Sequence, residues 1–203
     1  LRRVLDPPFL FVKKWYNSFE VDGMLKIVKD TQPSLRERCK PVELPLDEKD
    51  QKTLKEMLSY IKKSQDDEYC ERHHIRSGIG LAAPQIGVQK QMLTIYYEVE
   101  EGKPVEYALV NPKIISSSVK LCYLKGGEGC LSVDDDHKGY VYRAYKIRVK
   151  AYSFLDQKEV EIVAKGYDAI VLQHEIDHLS GVLYYDHIDK KNPFVIKDNS
   201  IAI

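Results

Sequence analysis

Gln173-His174-Glu175-Ile176-Asp177-His178-Leu179 holds two histidines four residues apart, with a glutamate directly after the first. Read as a helix, this H-E-x-x-H stretch puts both imidazoles on one face, one turn apart, where they can close on a single metal ion. Glu175 follows His174 at about 100° around the axis, beside the ion rather than on it, which is the place of a general base. The pattern implies metal-assisted hydrolysis with a carboxylate proton shuttle. Asp168 is the expected N-cap and Gly181 the stop signal. Val171, His174, Glu175 and His178 share one face, while Leu172, Ile176 and Leu179 fall on another and read as core. Hydrogen-bonded core histidines are the plainer reading, and the better one for a lone histidine. Two imidazoles and a carboxylate on one capped helix are costly to bury without a partner.

Two histidines leave a metal short of ligands. In the H-E-x-x-H-x-x-G-x-x-H pattern a third histidine follows. Gly181 fits the glycine of that pattern, but Tyr184 stands at the third-histidine position and His187 comes three residues late. No glutamate follows His178, so a downstream glutamate ligand is excluded as well. The segment Gly126-Gly127-Glu128-Gly129-Cys130-Leu131-Ser132 offers a thiolate from a glycine-rich turn after the β-like run 119–124. Cys130 with His174 and His178 makes a Cys-His-His set with a fourth position open for water. Cys39, Cys70 and Cys122 have no motif around them and read as small buried thiols.

A third segment is Gly78-Ile79-Gly80-Leu81-Ala82-Ala83-Pro84-Gln85. Its alternate glycines allow close backbone approach of a ligand. Ala82 and Ala83 suit tight packing beneath a site, and Gln85 can donate a side-chain N–H to a developing oxyanion. Alone the segment is weak evidence, because G-x-G also marks ordinary turns and lacks the spacing of a dinucleotide site.

Together the three segments resemble the peptide deformylase family, with its G-x-G-x-A-A-P-Q, E-G-C-L-S and Q-H-E-x-D-H-L-x-G segments in that order. Gly78 to Gln85, Glu128 to Ser132 and Gln173 to Gly181 match them without a mismatch. The resemblance runs from about Met24 to the C-terminus. The added stretch 64–77 and the lack of a long C-terminal helix look like the longer, Gram-positive-like class. What the resemblance implies is removal of the formyl group from N-formylmethionyl nascent peptides, at the ribosome exit in the cytoplasm. It implies a metal on Cys130, His174 and His178, with Fe(II) native and Ni(II), Co(II) or Zn(II) able to replace it. Ligand chemistry alone would favour zinc. It further implies Glu175 as the group exchanging protons with the attacking water and the leaving amine, with Gln85 and the Leu131 N–H holding the oxyanion. By the same resemblance Ile79, Tyr167, Ile170 and Val171 line the methionine pocket, and Gly80 pairs with the extended peptide backbone. Glu128 is expected behind the ligands, paired with a basic group such as Arg143. An ordinary surface role for Arg143 is the alternative.

The rest of the chain agrees with an enzyme of one domain. Its 203 residues are 43% hydrophobic, enough for one sizeable core. Basic and acidic residues balance at 31 each, so no field for nucleic acid is expected. No apolar run approaches the roughly 20 residues of a membrane span. Four irregularly spaced cysteines favour a reducing compartment over a disulfide framework. Asp47 should cap a helix carrying Leu54, Met57, Leu58 and Ile61 at i, i+3, i+4, i+7, with Asp50 as a capping-box partner. The polar run 64–74 reads as helix continuation or loop, with His73 and His74 at the surface. Strands are expected over 92–99, 105–115, 119–124, 139–154 and 160–164, and again over 181–187 after the catalytic helix. Strands between an early and a late helix predict an α+β fold, with antiparallel or mixed sheets around a central metal-binding helix. Residues 24–203 should form the catalytic domain. Residues 1–23 read as upstream sequence without function or as an arm packing through Trp15, Tyr16 and Phe19. Two rival functions stay open, a general metallopeptidase and a metal-stabilised binding module. Activity on formyl-Met-Ala-Ser against acetylated or internal peptides separates the first. The presence of both Glu175 and Gln85 counts against the second.

Overall fold

Along 146–153 charged and apolar residues alternate, and burial follows: Ile147, Val149 and Ala151 are buried while Lys146, Arg148 and Lys150 are exposed. That strand belongs to a sheet with one face in the core. The computed structural model describes residues 25–100 and 102–203. The expected arm on Trp15, Tyr16 and Phe19 lies outside them. The strands are β1 (Gly80–Ala82), β2 (Met92–Glu100), β3 (Lys103–Ser117), β4 (Leu121–Tyr123), β5 (Arg143–Ala144), β6 (Lys146–Ser153), β7 (Lys158–Lys165) and β8 (Ser200–Ala202). The α-helices are α1 (Glu48–Lys63), α2 (Asp67–His73) and α3 (Tyr167–His178). A five-stranded antiparallel sheet runs β1-β2-β3-β6-β7, and a three-stranded mixed sheet runs β5-β4-β8 with β4 and β8 parallel. Among the described residues no helix is long and apolar enough to cross a membrane.

The large sheet is covered on both faces. Leu54, Met57 and Ile61 of α1 join Leu81, Met92 and Val110 in one cluster. Ala169, Val171 and Leu172 of α3 join Leu93, Ile95, Leu109 and Val149 in another. Neighbouring residues of β2 thus serve opposite cores, as strand geometry requires. The Asp47 carboxylate accepts from the Asp50 N–H at 2.7 Å and caps α1 as expected. The reciprocal arm of a capping box is absent, because the Asp50 carboxylate is drawn to Lys90 Nζ at 2.6 and 2.7 Å.

Four expectations need correction. The strand read over 139–154 is broken at Tyr145, whose N–H donates to Lys120 O while its carbonyl accepts from Gly166 N–H. The chain crosses there from the small sheet to the large one. The run 64–74 yields a separate helix, α2, capped by Asp66 and closed by His74 at φ 53°. No strand forms over 181–187: Tyr184–His187 is a 3-10 turn held by the Asp186 carboxylate, which accepts from Leu183 N–H at 2.9 Å. Asp168 is not the N-cap of α3. Gly166 takes that position at φ 58°, and the Asp168 carboxylate accepts instead from the hydroxyls of Tyr97 and Tyr107, each at 3.3 Å.

Candidate metal centre

α3 lies against β1, β2, β5 and β7, and its placement is reinforced by a residue that motif reading left without a role. Gln173 Nε2 donates to Ala144 O and its Oε1 accepts from Ala144 N–H, both at 3.0 Å, so the side chain continues the ladder of β5. The helix thereby presents His174, Glu175 and His178 to the turn that carries Cys130. One ligand atom from each of Cys130, His174 and His178 can be chosen so that all lie within 4.8 Å of one another. Cys130 Sγ and His178 Nε2 are 3.3 Å apart. Ligands on a tetrahedral Cys-His-His ion stand about 3.3–3.8 Å apart, so the donor set fits one divalent cation.

Burial works against charge on Cys130, but His178 and His174 outweigh it and hold the thiol well below its ordinary range. Burial likewise opposes the His174 imidazolium, and the contacts with Cys130 and Glu128 overcome it and push that pKa well up. A thiolate with two imidazole nitrogens is a soft ligand set of the kind that takes a divalent transition metal. His174 Nδ1 donates to Glu128 Oε2 at 2.8 Å, which fixes the tautomer and turns the other ring nitrogen toward the cluster.

Glu128 is held in turn by Arg143, whose Nε and Nη2 donate to its two oxygens at 2.6 and 2.9 Å. Burial raises the Glu128 pKa, yet His174 and Arg143 leave it lowered overall. Arg143 is buried, so its alternative reading as an ordinary surface residue is excluded. Its Nη1 also donates to Asp177 Oδ2 at 2.8 Å, and Asp177 accepts from His187 Nε2 at 2.7 Å. This bridge to Asp177 had no sequence signal beyond the aspartate inside the motif.

Glu175 is buried, and its Oε2 has no hydrogen-bond partner among the described residues. Burial raises its pKa. An orphaned carboxylate oxygen beside a thiolate and two imidazoles is a buried polar atom still lacking the partner such groups normally have. Two glycines of the glycine-rich segment leave space for this carboxylate and for the Leu131 side chain. A Cβ on Gly80 would stand 2.2 Å from Glu175 Oε1, and one on Gly78 would stand 2.8 Å from Leu131 Cδ1.

Gln85 sits in the 3-10 turn Ala83–Ile86. Its Oε1 accepts from Ala82 N–H at 2.8 Å, which leaves the amide N–H groups facing Ser132 Oγ at 3.2 Å and Cys130 Sγ at 3.4 Å. A cavity of about 420 Å3 brings Gln85, Cys130, Leu131, His174 and Glu175 together with Ile79, Gly80, Tyr167, Ile170 and Val171. His178, almost wholly buried, lies behind it on Cys130. Arg76 also lines the cavity and was missed in the sequence, where a lone arginine before a glycine pair carries no signal.

The polypeptide deformylase family model matches residues 24–194. The chain is 51% identical over 180 residues to peptide deformylase 2 of Bacillus subtilis, covering 89% of this chain and 97% of that one. It is 47% identical over 180 residues to the peptide deformylase of Oceanobacillus iheyensis, covering 89% and 98%. Among solved structures, the peptide deformylase of Thermotoga maritima superposes with a TM-score of 0.65 at 34% identity, covering 82% of this chain and 99% of that one. With the family matched over most of its length and relatives from Gram-positive bacteria half identical to it, the chain belongs to the polypeptide deformylase family and removes the formyl group from N-terminal formylmethionine.

Proposed function

We propose that Cys130, His174 and His178 hold one divalent ion, natively Fe(II), and that Glu175, Gln85 and Leu131 carry the chemistry around it. The observation that carries the reading is the buried Glu175 Oε2, unpartnered among the described residues, on a residue that lines one cavity with Cys130 and His174 of the Cys-His-His cluster. A bound ion would supply Lewis acidity and a nucleophilic water at neutral pH. Glu175 takes a proton from the attacking water and returns it to the leaving methionine nitrogen as formate departs. Its raised pKa suits both halves of that transfer. The Gln85 amide and the Leu131 N–H stabilise the oxyanion that develops on the formyl oxygen. Ile170 and Val171, both buried on α3, with Ile79 and the half-exposed Tyr167, form the wall for the methionine side chain. The peptide backbone extends along Gly80 in strand fashion. Residues 24–203 form the catalytic domain, working in the cytoplasm on chains leaving the ribosome.

The test uses anaerobically purified enzyme with formyl-Met-Ala-Ser and its acetylated counterpart, with metal content measured in parallel. One divalent ion per chain and formate released from the formyl peptide alone are expected. Full metal content and activity in Cys130→Ala would sink the ligand assignment. For iron, activity should decay in air and persist once nickel replaces it. Equal lifetimes of the two forms would remove Fe(II).

A further inference from the structure

Arg76 stands two residues before Gly78 and reaches to the turn that follows Cys130. Its Nη1 donates to Val133 O at 3.0 Å, and its Nη2 donates to Cys130 O at 3.0 Å and Leu131 O at 2.6 Å. Lys29 Nζ adds a bond to Leu131 O at 3.2 Å. Asp134 pairs with both cations, at 2.7 Å from Lys29 and 3.2 Å from Arg76. The turn is closed by Val133 N–H donating to Cys130 O at 3.2 Å. A planar fork of donors thus gathers three carbonyls of one turn, those of Cys130, Leu131 and Val133, which a single lysine ammonium could not do with the same directionality.

The bond to Cys130 O has a consequence on the other side of its peptide. The Cys130 C=O and the Leu131 N–H belong to one planar trans unit and point in opposite directions. Fixing the oxygen therefore fixes the direction of the N–H. Among the described residues no hydrogen bond uses the Leu131 N–H. A cation on the carbonyl also polarises the peptide and makes its N–H a stronger donor.

We propose that Arg76 is a positioning residue for the deformylation reaction: through the Cys130 carbonyl it aims and polarises the Leu131 N–H toward the oxyanion. The proposal rests on the reading of Leu131 N–H as an oxyanion donor and adds the device that orients it. Arg76 touches no reacting atom in this role. If it only tied two loops together, its loss would lower thermal stability and leave turnover by the loaded enzyme intact.

The experiment compares Arg76→Met and Arg76→Lys in metal-loaded enzyme, measuring kcat, KM, metal per chain and Tm. The Leu131 amide resonance is followed in the zinc-loaded form. Arg76→Met should lower kcat by about 10- to 100-fold, the scale of a misaimed catalytic group, with KM and metal content unchanged and the Leu131 resonance shifted. Arg76→Lys should recover only part of kcat. Asp134→Asn, which leaves the carbonyl bonds in place, should keep kcat. Replacing leucine 131 by its α-hydroxy acid removes the N–H. Arg76→Met should then cost little more in that background, because the two changes act on one donor. Equal kcat losses from Arg76→Met in both backgrounds, or a fall in Tm alone, would overturn the proposal. Wild-type kcat in the ester variant would overturn the donor role of Leu131 itself. Should Arg76→Met fail to fold, Arg76→Lys in the two backgrounds makes the same comparison.

Discussion

Glu175 is buried and keeps one carboxylate oxygen without a partner among the described residues, which is what the proposed base role rests on. Glu175→Gln keeps size and shape and removes the base. Metal content should stay unchanged while kcat falls by about 10²–10⁴-fold, and metal loss in that variant would make Glu175 a ligand instead. Gln85 is held differently. Its carbonyl oxygen is tied to Ala82 N–H, so the amide N–H groups are turned toward Cys130 and Ser132. Gln85→Leu should lower kcat by about 10²–10³-fold with little change in KM, because donors to an oxyanion act mainly where charge develops. A change confined to KM would reduce Gln85 to a binding residue, and a change confined to Tm would reduce it to packing. Both candidates come from motifs in the sequence. The anchoring bond of Gln85 was not legible there, because it depends on the local turn Ala83–Ile86.

Among the elements, α3 and β1 approach so closely that a methyl group cannot pass between Gly80 and Glu175. Gly80→Ala should therefore abolish most activity at a modest cost in stability, since the carboxylate must swing out of place. Activity near wild type in that variant would show that Glu175 works from another position. β5 meets the back of α3 through Arg143, buried between Glu128 and Asp177. Arg143→Met leaves the buried Glu128 carboxylate without its cation and should cost about 3–5 kcal/mol in urea unfolding. It should also weaken metal retention, because Glu128 orients His174. Unchanged stability would mean the carboxylate finds water or other donors. Strands β2, β3, β4, β6 and β7 were readable from the sequence, while the short β1 and β8 were not. The crossing at Tyr145 was not, since its N–H is spent on Lys120, twenty-five positions earlier in the chain, and alternation continues through it.

Across the whole molecule, distant segments are tied by charge and by the C-terminal strand. Arg36 binds Asp186, and the Asp186 carboxylate also holds Leu183 N–H. Burial raises the Asp186 pKa, but Arg36 and Leu183 N–H lower it overall. A carboxylate with a depressed folded pKa binds its proton less tightly when folded than when unfolded. Its contribution is thus full above the ordinary aspartate value of about 3.9 and is lost as pH falls through the folded pKa. Asp186→Asn should flatten the acid side of the stability profile below about pH 4, as read by urea unfolding. A profile identical to wild type would show that the pair contributes nothing. β8 pairs in parallel with β4, and Ile203 N–H donates to Tyr123 O at 2.9 Å. Removing residues 199–203 exposes β4, the strand beside Arg143 in β5. Tm should fall by about 2–4 °C for each kcal/mol lost. An unchanged Tm would show that this edge needs no cover.

By itself the sequence determined the ligand candidates, the candidate base, α1 and most strand positions, because each is written in local spacing: histidines one turn apart, apolar residues at helical intervals, charges alternating with aliphatics. The tertiary structure alone decided why Gly78 and Gly80 are glycines, where the Asp168 carboxylate goes, and that Arg76 and Arg143 brace the Cys130 turn and α3. These depend on contacts between segments such as Arg76 with Val133, or Arg143 with Asp177. Such contacts leave no period in the chain. They follow from which faces the two cores force together, and a polar group buried there must find its partner wherever the packing has brought one.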